Sequence, residues 1–227
     1  MKNSKQRWII GWVVFIGLFG LDVIPQEAQH SPYYYQKKSL FELLPNQAHE
    51  IIFLGDSITD GCEWAELFCN KKIINRGISG DTTDGVLARL GEVLESSPKA
   101  VFMMIGVNDL GGGKSVEYIL DNLGKIIKKI KKISPGTKLY VQSILPVSDK
   151  FNQFPTYTDK NKEIISVNRT LESICRKTDT VYIDLHSLFA GENGKLDPAY
   201  TNEGLHINGK GYLLWKSVIQ KFVNPKS

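Results

Sequence analysis

The sequence predicts an α/β fold, with a parallel sheet covered by helices on both faces. Three observations predict it. Short apolar runs alternate with longer amphipathic stretches along most of the chain, as strands and covering helices do in a parallel α/β unit. The run "IIFL" at 51–54 is continuously apolar, as a strand buried on both faces would be. The length, 227 residues, suits one α/β domain with a full core.

Taken in order, the chain begins with a basic stretch holding Lys2, Lys5 and Arg7, followed by "WIIGWVVFIGLFGL", 14 uncharged and mostly apolar residues from Trp8 to Leu21. That length is short for a membrane span of about 20 residues but fits the apolar region of an export signal. Residues 1–21 are therefore expected to be a signal peptide, with an uncleaved anchor as the competing reading. The protein is expected to be exported, to the periplasm or the extracellular space. Contact with a membrane is expected only through residues 8–21.

Residues 22–48 are polar and aromatic and read as an arm leading into a short helix over 39–44, stopped by Pro45. Tyr33, Tyr34 and Tyr35 in that arm could stack on a sugar, but packing of the arm on the core is the favoured reading. Strands are expected over 50–54, 72–75, 100–105, 138–143 and 180–184. Helices are expected over 63–70, 83–96, 116–133, 161–178 and 210–223. The stretch "IIKKIKKI" resembles a membrane-seeking basic helix. However, Ile119, Leu123, Ile126, Ile127, Ile130 and Ile133 make one apolar stripe with lysines opposite, which predicts a core-packed helix with a solvated outer face.

Composition, 42% hydrophobic and 23% charged, is that of an ordinary globular chain. The net charge of +4 comes largely from the N-terminus, since residues 22 onward carry 25 basic and 24 acidic residues. No basic face for nucleic acid is expected. Cys62, Cys69 and Cys175 do not suggest a disulfide framework. On one helix, Cys62 and Cys69 would stand about 10 Å apart, beyond bridging distance. Buried free thiols are expected, with a bridge from Cys175 left open. No Cys/His pair has zinc-ligand spacing.

The chemistry is expected at the carboxyl ends of the strands, where open α/β sheets bind ligands. The first strand ends in "GDS", which makes Ser57 either a helix cap or a nucleophile. After the second strand comes "RGISGDTTDG", after the third "GVNDLGGG", and late in the chain "YTNEGLHING". A serine nucleophile needs a base. His206 is the favoured base, because Glu203 three residues upstream can accept from Nδ1–H and leave Nε2 free for the serine proton. His186, after the fifth strand, is the alternative. Oxyanion donors are expected from the Ser57 N–H, the Gly80 N–H and the Asn108 side-chain amide. Gly80 lets the chain approach a substrate with no Cβ in the way. Asp56 is expected to support the turn. The motifs G-x-x-x-x-G-K-[ST] and G-x-G-x-x-G are not present.

"GDS" at Ser57, "GISGDTT" with Gly80, "GVND" with Asn108 and "EGLH" with His206 occur in one order over residues 55–206. Together they resemble the SGNH (GDSL-type) hydrolase superfamily, whose four blocks supply a serine nucleophile, a glycine donor, an asparagine donor and a histidine preceded by an acid. "NRGISGDTT" followed by "VLARL" is also similar to the platelet-activating-factor acetylhydrolase catalytic subunits. Exported bacterial members of that neighbourhood include carbohydrate and sialate O-acetylesterases. The resemblance implies a three-layer α/β/α sandwich with a five-stranded parallel sheet of flavodoxin-like order, occupying residues 49–225.

The implied activity is ester hydrolysis through an acyl-enzyme, without metal or cofactor, on a small-molecule or glycan ester. An acetyl group on a sugar is the leading substrate. A lysophospholipase or general carboxylesterase is the alternative, and an inactive carbohydrate-binding relative is a third reading. The sequence departs from the family pattern at Glu203, where the family has aspartate. The nucleophile stretch "GDSIT" is also not the G-x-S-x-G elbow of the larger α/β-hydrolases.

Overall fold

A computed structural model describes residues 30–224. The expected signal or anchor at 1–21, the first part of the arm and residue 225 lie outside the described residues. Strands β1 (Ile51–Gly55), β2 (Ile73–Gly77), β3 (Ala100–Met104), β4 (Lys138–Gln142) and β5 (Val181–Ile183) form one sheet in the order β2-β1-β3-β4-β5. Every pairing is parallel. This is the flavodoxin-like order, with the change of winding direction between β1 and β3. Strands β1 and β3 lie inside the sheet and are buried at every position, which explains their unbroken apolar sequences.

The helices are α1 (Pro32–Phe41), α2 (Ser57–Asp60), α3 (Trp64–Leu67), α4 (Thr83–Leu94), α5 (Val107–Gly111), α6 (Val116–Ile133), α7 (Asn161–Lys177), α8 (His186–Phe189) and α9 (Gly209–Val223), with a 3₁₀ turn at Pro198–Tyr200. Helix α6 packs between α4 and α7 on one face of the sheet. Its residues Ile119, Leu123, Ile126, Ile127 and Ile130 are buried, while Ile133, expected on the same stripe, is exposed where the helix ends. On the other face the rings of Phe53, Phe102 and Tyr140, neighbours in register, stack across three strands. Trp64 of α3 stacks on Phe53 at 4.1 Å, and Trp215 of α9 meets Trp64 edge-on at 4.8 Å. The Trp215 indole N–H keeps a partner in that apolar layer by donating to Gln142 Oε1 at 2.6 Å. Sheet and two helical layers make the three-layer sandwich.

Two expectations about local structure are corrected. The helix expected over 39–44 runs instead over Pro32–Phe41: Ser31 accepts from the Tyr34 N–H as N-cap and Pro32 occupies the first turn. The tyrosines are thus helical. Tyr34 is buried, its hydroxyl donating to the Gly85 carbonyl at 2.9 Å, so the arm packs on the core as expected. The helix expected over 63–70 is a single turn, because Cys69 adopts a left-handed backbone (φ 50°) and ends it. All three cysteines are free, and Cys69 is exposed rather than buried. Burial raises the Cys62 thiol to about 12 and the Cys175 thiol to about 11, as for inert core cysteines.

Candidate active site

The site begins at the register pair Gly55 and Gly77, the last residues of β1 and β2. A Cβ on Gly55 would lie 2.3 Å from Thr59 Oγ1 and 2.4 Å from the Met104 carbonyl oxygen. One on Gly77 would lie 2.2 Å from the Asp60 nitrogen. The two glycines let α2 settle directly over the strand ends, and α2 starts with Ser57. Asp56, extended, caps it by accepting from the Ile58 N–H at 3.0 Å, so its carboxylate supports the turn as expected. Burial, opposed by that bond and reinforced by Asp81 and Asp109, pushes the Asp56 carboxyl up to about 7.

Ser57 Oγ lies 2.8 Å from His206 Nε2. The separation in sequence is 149 residues. His206 Nδ1 faces Glu203 Oε1 at 3.2 Å. The same oxygen accepts the Leu205 N–H at 3.0 Å and also the His206 N–H. The added methylene of glutamate is absorbed by this local turn, and the loop keeps its acid against the imidazole. Thr201 holds the turn from below: its hydroxyl donates to the His206 carbonyl at 2.6 Å and accepts from the Glu203 and Gly204 N–H groups. Phe154 meets the His206 ring edge-on at 5.4 Å. With the imidazole proton on Nδ1 toward Glu203, Nε2 presents a lone pair to the serine hydroxyl.

The Gly80 loop and Asn108 are joined. Asn108 Nδ2 donates to the Asp81 carbonyl at 2.8 Å, and its Oδ1 accepts from the Tyr157 hydroxyl at 3.1 Å. The amide is thereby oriented, with one N–H remaining for another acceptor. Gly80 has φ +79°, a left-handed backbone that favours glycine, and a Cβ there would meet nothing within 4 Å. Neither the Ser57 nor the Gly80 N–H donates to a backbone partner among the described residues.

Several residues not singled out from the sequence hold this arrangement. Arg89, fully buried on α4, donates to Asp81 at 2.9 Å and to the carbonyls of Arg76 at 2.8 Å and Gly55 at 3.3 Å. One guanidinium thus ties the Gly80 loop to the ends of β1 and β2. Asp109 accepts from the Thr83 hydroxyl at 2.6 Å and N–H at 3.0 Å, fixing α5 to α4. Burial raises the Asp81 and Asp109 carboxyls, while Arg89 works against the rise at Asp81 and Thr83 against that at Asp109. The signal for Arg89 was available: it sits on the apolar stripe of Val86, Leu90 and Val93, where a solvated arginine does not belong.

His186 stands apart. Its backbone N–H donates to Ser143 Oγ, its ring lies in a pocket with Tyr182, Asp184 and Asn168, and burial lowers its basicity. The structure brings Ser57 to His206 and not to His186. Among the described residues, no group of three or more His, Cys, Asp or Glu side chains is arranged to hold a metal ion. No helix among them is long and apolar enough to cross a membrane.

Comparison with known proteins agrees with this geometry. Residues 53–214 match the model of the GDSL-like lipase/acylhydrolase family. Platelet-activating factor acetylhydrolase IB subunit alpha2 of Homo sapiens is 27% identical over 169 residues, covering 72% of this chain and 71% of the relative. A GDSL-like lipase from Bacteroides thetaiotaomicron superposes with a TM-score of 0.74 at 26% identity, covering 84% of this chain and 96% of that one. An acetylxylan esterase from Geobacillus stearothermophilus shares the fold, with a TM-score of 0.63 at 17% identity over 80% of this chain and 97% of that one. The chain belongs to the GDSL-like lipase/acylhydrolase family and is a carboxylic ester hydrolase.

Proposed function

We propose that the protein is an exported O-acetylesterase acting on carbohydrate, with Ser57 as nucleophile, His206 as general base and acid, and Glu203 as the carboxylate that orients and stabilises His206. The 2.8 Å approach of Ser57 Oγ to His206 Nε2 carries the reading. As the serine oxygen attacks the ester carbonyl, His206 Nε2 takes its proton and Glu203 balances the imidazolium. The carbonyl oxygen becomes an oxyanion held by the Ser57 N–H, the Gly80 N–H and the free N–H of Asn108. One such donor is typically worth about 2.7–4 kcal/mol. Collapse expels the alcohol, protonated by His206, and leaves acetyl on Ser57. Water, deprotonated by His206, then repeats the attack and releases acetate.

The acetyl preference is supported by the acetylhydrolase relative, and the carbohydrate preference by the polar lining of the cleft at Gly80, which includes Thr82, Asp84 and Lys114. Export is supported by the N-terminal basic and apolar stretches. Acetate release from O-acetylated glycans by wild type and Ser57→Ala tests the function directly. Wild type is expected to release acetate, and the variant to lose activity by about 10⁴-fold or more. Aryl acetate, butyrate and octanoate compared on wild type test the acyl group, and a steep preference for octanoate overturns the sugar-acetyl reading. A folded protein that binds glycan yet resists fluorophosphonate at Ser57 is a binding protein instead.

A further inference from the structure

One loop between β4 and α7 touches both halves of the site. Residues 147–161 lead into α7, and the Asn161 side-chain amide clips the two ends together. Its Oδ1 accepts the Val147 N–H at 2.9 Å, and its Nδ2 donates to the Val147 carbonyl at 2.9 Å. The Ser148 N–H donates to the Gly204 carbonyl at 2.8 Å, within the turn that carries His206. Further along, Phe154 stands edge-on to His206 at 5.4 Å and edge-on to Tyr157 at 6.1 Å. Tyr157 then reaches across to Asn108 on α5.

The Tyr157 ring packs where only a glycine leaves room. A Cβ on Gly111, the last residue of α5, would lie 2.4 Å from the ring Cε1 and 2.6 Å from Cζ. With none there, the ring lies directly against the α5 backbone and its hydroxyl stops 3.1 Å from Asn108 Oδ1. Two turn bonds hold the tyrosine's own backbone: its N–H donates to the Phe154 carbonyl and its carbonyl accepts the Lys160 N–H, both at 3.0 Å. Burial, reinforced by Asp56, raises the hydroxyl above its ordinary range, so it keeps its proton and can donate.

A donor at this place acts on the far end of the amide. The Asp81 carbonyl can only accept, so its 2.8 Å bond decides which end of Asn108 is nitrogen. That bond alone leaves the amide plane free to swing about the Nδ2···O line. The bond from Tyr157 to Oδ1 removes this freedom and aims the remaining N–H. Donation to the amide oxygen also draws electron density from Nδ2, which makes the remaining N–H a stronger donor, as in any hydrogen-bonded chain.

We infer that Tyr157 is a positioning residue of the oxyanion hole, aiming and polarising the Asn108 amide without itself touching the substrate. The inference rests on the esterase reading above, in which Asn108 supplies one of three donors. It gives the 147–161 loop a double task, since the segment that braces the His206 turn through Ser148 and Phe154 also sets the amide through Tyr157.

The test is a double-mutant cycle on p-nitrophenyl acetate, with kcat and KM determined separately and urea unfolding midpoints measured alongside. Tyr157→Phe keeps the ring against Gly111 and removes only the hydroxyl. It should lower kcat about 3–10-fold, with KM and the unfolding midpoint little changed. Asn108→Ala should lower kcat on the order of 10²-fold or more. In the Asn108→Ala background Tyr157→Phe should cost nothing further, because the group it acts through is gone. A structural role would show the same loss in both backgrounds. That result, or no loss in either background, overturns the role of Tyr157 and leaves Asn108 as an oxyanion donor. An Asn108→Ala enzyme as active as wild type overturns the oxyanion assignment in the esterase reading, and the role of Tyr157 with it.

Discussion

The turn carrying Ser57 and the loop carrying His206 meet at 2.8 Å, yet they are held by different kinds of bond. The Ser57 side is wired into the core over long sequence distances. Arg89 binds Asp81 and the ends of β1 and β2, Asp109 binds Thr83, and both carboxylates are buried. The His206 side is held mainly by local bonds: Thr201 and Glu203 satisfy the loop's N–H and C=O groups within five residues, and one longer link, from the Ser148 N–H to the Gly204 carbonyl at 2.8 Å, ties it to the segment after β4. The proposed oxyanion donors must be in place before charge develops, so they are set by rigid, buried links. In its proposed role the histidine accepts and returns a proton, for which a mainly local loop that fixes its orientation is enough. Damage to the first side should therefore weaken fold and catalysis together, and damage to the second should weaken catalysis alone.

The largest effect expected is kinetic and tests the second half of that contrast. His206→Ala should lower kcat/KM on aryl acetate on the order of 10⁴-fold. The side chain is 36% exposed, and its loss should change stability by no more than about 0.5 kcal/mol. Urea unfolding alongside steady-state kinetics checks both. A large fall in the unfolding midpoint would mean that the loop is part of the folding core.

Next is Arg89→Met, which sharpens the first half. Removing one partner of a fully buried ion pair leaves Asp81 charged and unpaired, at about 3–5 kcal/mol. The Gly55 and Arg76 carbonyls lose a donor as well. Activity of the folded fraction should also fall, because the Gly80 loop loses its tie to the strand ends. The loss of stability should ease at low pH, since protonating Asp81 removes the unpaired charge. A variant as stable as wild type would show that this link is dispensable.

Glu203→Gln is expected to be milder. Glutamine can still accept from the Leu205 and His206 N–H groups, so the loop should persist, but it carries no charge to balance the imidazolium. A fall in kcat of about 10²-fold is expected, with KM little changed. Glu203→Ala should fall further, since the loop then loses its acceptor. Equal losses for the two variants would mean that the carboxylate serves the proton transfer and not the turn, and a Gln variant as active as wild type would mean the reverse.

The contrast also explains what could be read from the sequence. The sheet was legible because its inner strands are buried on both faces and so have continuous apolar sequences. Helix α6 was legible to its ends because its stripe repeats over five turns. Ser57 and His206 were legible because each sits in a short glycine-flanked motif, and a local loop writes itself into contiguous sequence. Arg89, Asp81 and Tyr157 were harder, because their partners lie on other elements and nothing nearby in sequence announces them. The start of α1 was missed although Ser31-Pro32 is a capping pattern, since three consecutive tyrosines have no helical periodicity. The single turn of α3 depends on a left-handed Cys69, which no local preference requires.

Asp56 stands on the core-wired side, and its substitution should give the smallest effect at any one pH and the clearest dependence on pH. Burial raises its folded carboxyl to about 7, above the ordinary carboxylate range it has when unfolded. Between those two values the folded protein holds a proton that the unfolded chain has released, so its contribution to stability falls as pH rises. It is fully present below the unfolded value and lost by the time pH passes about 7. Asparagine keeps the oxygen that accepts from the Ile58 N–H and has no proton to lose. Asp56→Asn should therefore match wild type near pH 4 and exceed it by about 1–2 kcal/mol at pH 8, with the gap opening in between. Unfolding midpoints measured across that range decide the matter. Parallel curves for the two proteins would show that this carboxyl is already ionised in the fold, and that the turn tolerates a buried charge beside Ser57.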